Sequence, residues 1–222
     1  MSHAYTREMH PLAFVVSHWT NLCAMVFLTL SGLYIHYPIF PGFMGAARGT
    51  HNFWMFVLLI NLVVRLVMGF TLKTSKLAGG REKELDIKNF LPQAENRHQL
   101  WPTIKYYLFL KKEHPLGGKY NSLQKFAYVL TVPLILLAAY TGFALWGPTS
   151  QWSFFLAGTT MVANWFNGGV GGAALMPMRI VHYWTMWAIL SFTFIHVYLA
   201  NIYGFDADRI MFAWKETGTD HA

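Results

Sequence analysis

Two histidines, His182 and His196, stand fourteen residues apart in the apolar, aromatic-rich stretch Met178–Tyr203. An imidazole can ligate a metal or carry a proton, and an ionisable group inside an apolar span usually serves such a purpose. At about 100° per residue, fourteen positions fall about 40° short of four turns, so both rings leave nearly the same face of a helix. Along the axis they are roughly 21 Å apart, at about 1.5 Å per residue. That is most of the roughly 30 Å hydrocarbon thickness of a bilayer. A single spanning helix would present two imidazoles near opposite leaflets.

The elements that must position them follow from composition. Of 222 residues, 55% are hydrophobic, 17% aromatic and 12% charged, against about 25% charged in soluble domains. The formal net charge is +7, but eleven of the 17 Lys and Arg fall between Lys73 and Lys125, in one polar segment. Basic residues so confined do not make a nucleic-acid surface. The single cysteine, Cys23, excludes a disulfide framework, an iron–sulfur cluster or a thiolate zinc site within the chain. Four apolar runs are long enough to span, at 12–35, 52–72, 126–146 and 180–203. The first is too long for a signal-peptide core and is read as a mature helix. The expected fold is all-α, an integral membrane four-helix bundle forming one domain over 1–222, with no apparent internal repeat. Within the polar loop 73–125, Trp101–Lys112 reads as an interfacial helix. The Gly-rich, nearly uncharged loop 147–178 is expected to fold back onto the membrane face. Loop 73–125 carries the bulk of the positive charge, whereas the loop between the first two runs has Arg48 alone, so loop 73–125 and both termini are expected on the cytoplasmic side.

Direction gives each histidine a depth. His18 and His196 fall in the inner leaflet, His51 and His182 near the outer surface. Two neutral imidazoles per site, without carboxylate or thiolate, suit a haem iron with both axial positions filled, whereas zinc would take further protein ligands. Two b-type haems between the helices, ligated by His18 and His196 inside and by His51 and His182 outside, make an electron path across the membrane. Gly32 and Gly142 lie near the outer depth and either admit a porphyrin face or pack helices closely. Arg65, fourteen residues after His51, pairs with an inner haem propionate or snorkels to the cytoplasmic surface. Arg48 and Arg179 flank the outer ligands as propionate partners or surface charges. His36, at the end of the first run, competes for an outer ligand position. His3, His10, His98, His114 and His221 read as solvated residues.

These residues resemble the four-helix, di-haem cytochrome b subunit of membrane-bound nickel–iron hydrogenases, related to the gamma subunit of respiratory formate dehydrogenases in the cytochrome b561-like superfamily. The matching pieces are His18-Trp19, Ser31-Gly32, Arg48-Gly-Thr-His51 with Arg65, Gly118-Lys-Tyr-Asn-Ser-Leu-Gln-Lys125, Thr141-Gly142, Arg179-Ile-Val-His182 and His196-Val-Tyr198. The resemblance implies a bacterial cytoplasmic-membrane subunit bound to an iron–sulfur small subunit and a catalytic large subunit on the outer face, possible in a higher oligomer. It implies electron passage from the outer to the inner haem and on to menaquinone or ubiquinone. It also implies a quinone site at Asn121, beside His196, and at Gln124, although Asn121 could equally cap the third helix. The Gly118–Lys125 stretch leans toward the formate dehydrogenase branch and the long outer loop toward the hydrogenase branch. The tail 205–222 departs from both. Two other classes stay open: a stand-alone cytochrome b561-type oxidoreductase acting between quinone and superoxide, and a membrane anchor or transporter without cofactor.

Overall fold

The computed structural model describes residues 3–8, 11–75, 83–91, 98–113, 122–166, 175–201, 211–212 and 215–220. Among these residues there are six α-helices: α1 Leu12–His36, α2 Met44–Thr71, α3 Leu100–Tyr107, α4 Ser122–Leu145, α5 Ser153–Trp165 and α6 Leu175–Asn201. Among the described residues, α1, α2, α6 and the Lys125–Leu145 part of α4 are long and apolar enough to cross a membrane. Helices satisfy their backbone polar groups internally, as a spanning segment in hydrocarbon must. This is the all-α membrane class read from the sequence.

The helix ends differ from the apolar runs in an informative way. Helix α2 begins at Met44, so His51 sits in its third turn rather than ahead of it. Its leading residues, Met-Gly-Ala-Ala-Arg-Gly-Thr, include good helix formers, and Pro41 with Gly42 at φ 87° confines the break to the turn before them. Helix α6 likewise begins at Leu175 and carries Arg179 in its second turn. The interfacial segment is shorter than expected: α3 ends at Tyr107, and Phe109 follows at φ 59°. The loop 147–178 contains a helix, α5, that the apolar runs do not reveal.

The chain divides into two compact units, residues 1–126 with 198–222, and residues 127–197. In the first, α1 and α2 pack antiparallel: Ser31 meets His51, the Phe27 and Trp54 rings stack at 4.7 Å, and Asn61 donates to Ser17 O and Asn21 Oδ1. Polarity is inverted relative to a soluble protein. Ser17 and Asn61 are 4% and 8% exposed, whereas Leu30 and Ile60 are 61% and 62% exposed. Helices in lipid gain nothing by hiding leucine from water and associate through small residues and hydrogen bonds. After α2, strands β2 (Lys73–Ser75) and β3 (Lys83–Leu85) pair antiparallel and lead into a 3-10 turn, Asp86–Phe90. The terminal strands β1 (His3–Glu8) and β4 (Lys215–Asp220) also pair antiparallel, from His3 opposite Asp220 to Glu8 opposite Lys215, which brings the two ends of the chain together.

In the second unit, Ala144, Val162 and Met178 form a core joining α4, α5 and α6, with Tyr140, Leu145, Phe155 and Val181 around it. Gly158 of α5 lies flush against the Tyr140 ring, and the Tyr140 hydroxyl donates to Phe154 O at 2.9 Å. A methyl group at 158 would overlap that ring, with Tyr140 Cζ only 2.7 Å away. Gly158→Ala is therefore expected to destabilise the detergent-solubilised protein by about 1–3 kcal/mol, the usual penalty of overpacking. The midpoint of thermal loss of helical circular dichroism measures it; an unchanged midpoint would show that the ring moves aside freely.

Candidate functional site

The two histidines that the depth argument places together are held in the same manner, one in each unit. On α1, Ser31 Oγ lies 2.5 Å from Phe27 O and 3.3 Å from Leu28 O, and 3.0 Å from Nδ1 of His51 on α2. On α4, Thr141 Oγ1 lies 2.8 Å from Leu137 O and 3.1 Å from Ala138 O, and 2.8 Å from Nδ1 of His182 on α6. A hydroxyl has one proton. In both places it is directed at a carbonyl of the preceding helical turn, which can only accept. With the hydroxyl proton directed at that carbonyl, the imidazole is the donor, Nδ1–H into a lone pair of the hydroxyl oxygen. A neutral imidazole protonated at Nδ1 carries its available lone pair on Nε2, the form a metal ligand needs.

Each of these hydroxyls is followed by glycine, in Ser31-Gly32 and Thr141-Gly142. At Gly32 an added Cβ would come within 3.2 Å of His51 Cε1 and 3.6 Å of its Nδ1. Gly32 thus admits the His51 ring itself to the α1 backbone, where sequence reasoning had given it a porphyrin face or a neighbouring helix. The roles of Ser31 and Thr141 were missed in the sequence, although a hydroxyl residue beside glycine at a histidine's depth is a usable signal.

The other predicted residues fall as follows. His196 lies fourteen residues after His182 on the continuous α6, and its ring stacks on Phe192 at 6.2 Å and 20°. His18 is exposed on α1 and meets Trp19 edge-on at 5.7 Å. Trp19 in turn donates from Nε1 to Met211 O at 2.8 Å and packs on Phe212 at 4.7 Å, so part of the C-terminal tail lies beside His18's neighbour. His36, the competing ligand, is exposed at the end of α1 against the edge of Tyr37. Arg48 and Arg179 are exposed on α2 and α6. Asn121 and the Gln124 side chain lie outside the described residues; the neighbouring Lys125 is buried and donates to Leu91 O at 3.0 Å.

Arg65 has a partner from the chain itself. Its Nη2 lies 2.7 Å from Oδ2 of Asp86, a carboxylate 1% exposed. Asp86 Oδ1 accepts from the Thr74 hydroxyl at 2.9 Å, and Thr74 accepts from Asn89 Nδ2 at 3.0 Å. The guanidinium also lies 4.2 Å above the centre of the Phe14 ring. The sequence offered Arg65 an inner-haem propionate or the cytoplasmic surface; among the described residues its anion is Asp86 of the 3-10 turn.

These residues fit a b-type haem. The fit rests on two imidazoles whose hydrogen bonds direct the lone pair to Nε2 without any carboxylate or thiolate, a donor set suited to low-spin iron rather than zinc. Ser31→Ala and Thr141→Val each remove the acceptor for an imidazole N–H. Each is expected to weaken retention of a haem held through the corresponding histidine about ten- to a hundredfold, while Ser31→Thr and Thr141→Ser retain it. Pyridine haemochrome content per mole of protein after dilution in detergent reads the difference; equal content in all four variants would remove the hydroxyls from ligand positioning.

A family model described as prokaryotic cytochrome b561 matches residues 9–213. The chain is 28% identical over 191 residues to the probable Ni/Fe-hydrogenase 1 B-type cytochrome subunit of Escherichia coli (strain K12), a match covering 82% of this chain and 77% of that protein. It is 26% identical over 200 residues to the probable Ni/Fe-hydrogenase B-type cytochrome subunit of Rhizobium leguminosarum bv. viciae and 26% identical over 198 residues to that of Azotobacter vinelandii. Each of these two matches covers 82% of this chain and 75% of the relative.

Proposed function

We propose a specific role for this chain on the premise that it belongs to the prokaryotic cytochrome b561 family. Membership makes it a membrane cytochrome b, an electron-transfer protein. The role is that of the membrane subunit of a nickel–iron hydrogenase, taking electrons from an iron–sulfur small subunit beside a catalytic large subunit and delivering them to menaquinone or ubiquinone. The names of the relatives support the hydrogenase partner. The expected location is the bacterial cytoplasmic membrane with both termini cytoplasmic. The positive charge of the segment 73–125 and the pairing of β1 with β4 support that orientation.

The observation that carries the reading is the repeated hydroxyl–imidazole pair. The depths that follow from helix direction in the sequence pair the histidines, so His51 and His182 are assigned to the outer haem and His18 and His196 to the inner. Haem b, when bound, would supply one-electron oxidation and reduction, held by these histidines. The chain's own residues do the rest. Ser31 and Thr141 hold the imidazoles in the Nδ1–H tautomer, Gly32 lets one ring sit against the backbone, and α6 sets the spacing between its two histidines. Asn121 and Gln124 are assigned to the quinone end with His196, while Gly142, Arg48 and Arg179 are assigned to the surroundings of the outer group. Arg65 is assigned to holding the 3-10 turn at the inner end.

Redox difference spectra and purification test this together. The wild-type protein in mild detergent should show b-type absorption corresponding to two haems and should bring down an iron–sulfur subunit and a large catalytic subunit. His196→Ala should lose one haem and quinone reduction while keeping the other haem, and His182→Ala should lose the complementary one. No b-type absorption in the wild type ends the cytochrome role. Recovery of the cytochrome alone, still active toward quinone, ends the hydrogenase assignment in favour of a stand-alone oxidoreductase, and a copurifying formate dehydrogenase would replace the partner.

A further inference from the structure

Helix α5 is apolar on the face it packs with and on the face it does not. Its inner face, Phe155, Gly158, Val162 and Ala163, lies on α4 and α6 through Tyr140, Ala144 and Met178. Its outer face carries Phe154 and Trp165, 67% and 71% exposed, with Leu156 and Met161 also exposed between them. A helix lying on a protein in water turns a polar face outward. Here the mid-helix hydroxyls, Thr159 and Thr160, donate back to Phe155 O and Leu156 O, at 3.0 and 2.9 Å, and offer little to solvent. No Asp, Glu, Lys or Arg occurs anywhere from residue 126 to 178.

Position points the same way. Gly158, in the middle of α5, sits against Tyr140, five residues inside the end of α4 at Leu145. Five residues are about 7.5 Å of helix axis, which carries α5 below the rim of a spanning segment. With 13 residues it is about 20 Å long and too short to cross a core of about 30 Å. Trp152 and Trp165 stand at its two ends, where amphipathic rings settle at a membrane interface. The spanning helices of its own unit also expose apolar side chains, Leu136 and Leu137 on α4 and Trp184 and Trp187 on α6.

We propose that α5 is embedded in the outer edge of the bilayer, its Phe154–Trp165 face against lipid, and that it seals the Thr141–His182 end of α4 and α6 from water. The occupant of that face is lipid rather than a partner subunit, because the face is uncharged, its helix packs at mid-length below the end of a spanning segment, and the spanning helices beside it also expose apolar side chains. The inference does not depend on the haem or quinone assignments.

Nitroxide labels test it in opened native membranes, with the hydrogenase partner present and in a strain lacking it. In a Cys23→Ser background, Phe154→Cys and Met161→Cys are compared with Gln151→Cys on the preceding turn, after circular dichroism shows unchanged helicity. At 154 and 161, spin relaxation should be dominated by lipid-soluble oxygen, with accessibility to a water-soluble paramagnetic chelate at least tenfold below that at 151, in both strains. Chelate accessibility equal to that of the control overturns the proposal. So does protection from oxygen and chelate together with the partner present and chelate accessibility in its absence, which would make the face a protein interface.

Discussion

A hydroxyl proton committed to a helix carbonyl is the interaction on which the candidate site depends. Ser31 and Thr141 would each be unremarkable as isolated residues, since serine and threonine in helices commonly bond back to the preceding turn. That local bond leaves the hydroxyl oxygen able only to accept. It therefore favours the Nδ1–H tautomer of the imidazole that reaches it from the neighbouring helix, His51 in one unit and His182 in the other. The bilayer strengthens the logic. Without water to compete, a ring nitrogen must find its partner inside the protein, and a hydroxyl already oriented by its own backbone is a stiff partner.

The same scarcity of water explains where the polar residues of the first unit lie. Asn61 ties α2 to two positions on α1, and Arg65, four residues on, finds Asp86 in the turn that follows the membrane segment. Asp86 is held from the other side by Thr74, itself held by Asn89. A cation near the end of a spanning helix thereby organises the first stretch of chain outside it. The β2–β3 ribbon and its 3-10 turn gain a fixed seat where few apolar residues are available to make one.

Much of this was legible in the sequence. The four spans were, because bilayer thickness sets a minimum run of apolar residues that little else in a chain imitates. The spacing of His182 and His196 survives unchanged on a continuous α6. The parts that were not legible share a physical cause. Helix α2 extends two turns beyond its apolar run because Ala47 and its neighbours favour helix without being strongly apolar. Helix α5 was hidden because its 13 residues fall short of a span while lacking the charged face that marks a surface helix. Arg65 lies fourteen residues after His51 as expected, but its partner comes from a polar segment whose fold no periodicity announces. The hydroxyl pairs needed the other helix in view, since an i−4 back-bond alone distinguishes nothing.

The rigid spacing along α6 also has an electrical meaning. If α6 stands near the membrane normal, its fourteen-residue interval spans about 21 Å, roughly two thirds of the low-dielectric layer. An elementary charge crossing the whole layer changes energy by about 2.3 kcal/mol per 100 mV of membrane potential. A single negative charge displaced from the level of His182 to that of His196 would therefore work with or against the membrane voltage by about 1.6 kcal/mol per 100 mV. The distance between two imidazoles on one helix is in that sense a voltage coupling built from covalent geometry, altered by a change in helix length, tilt or bilayer thickness.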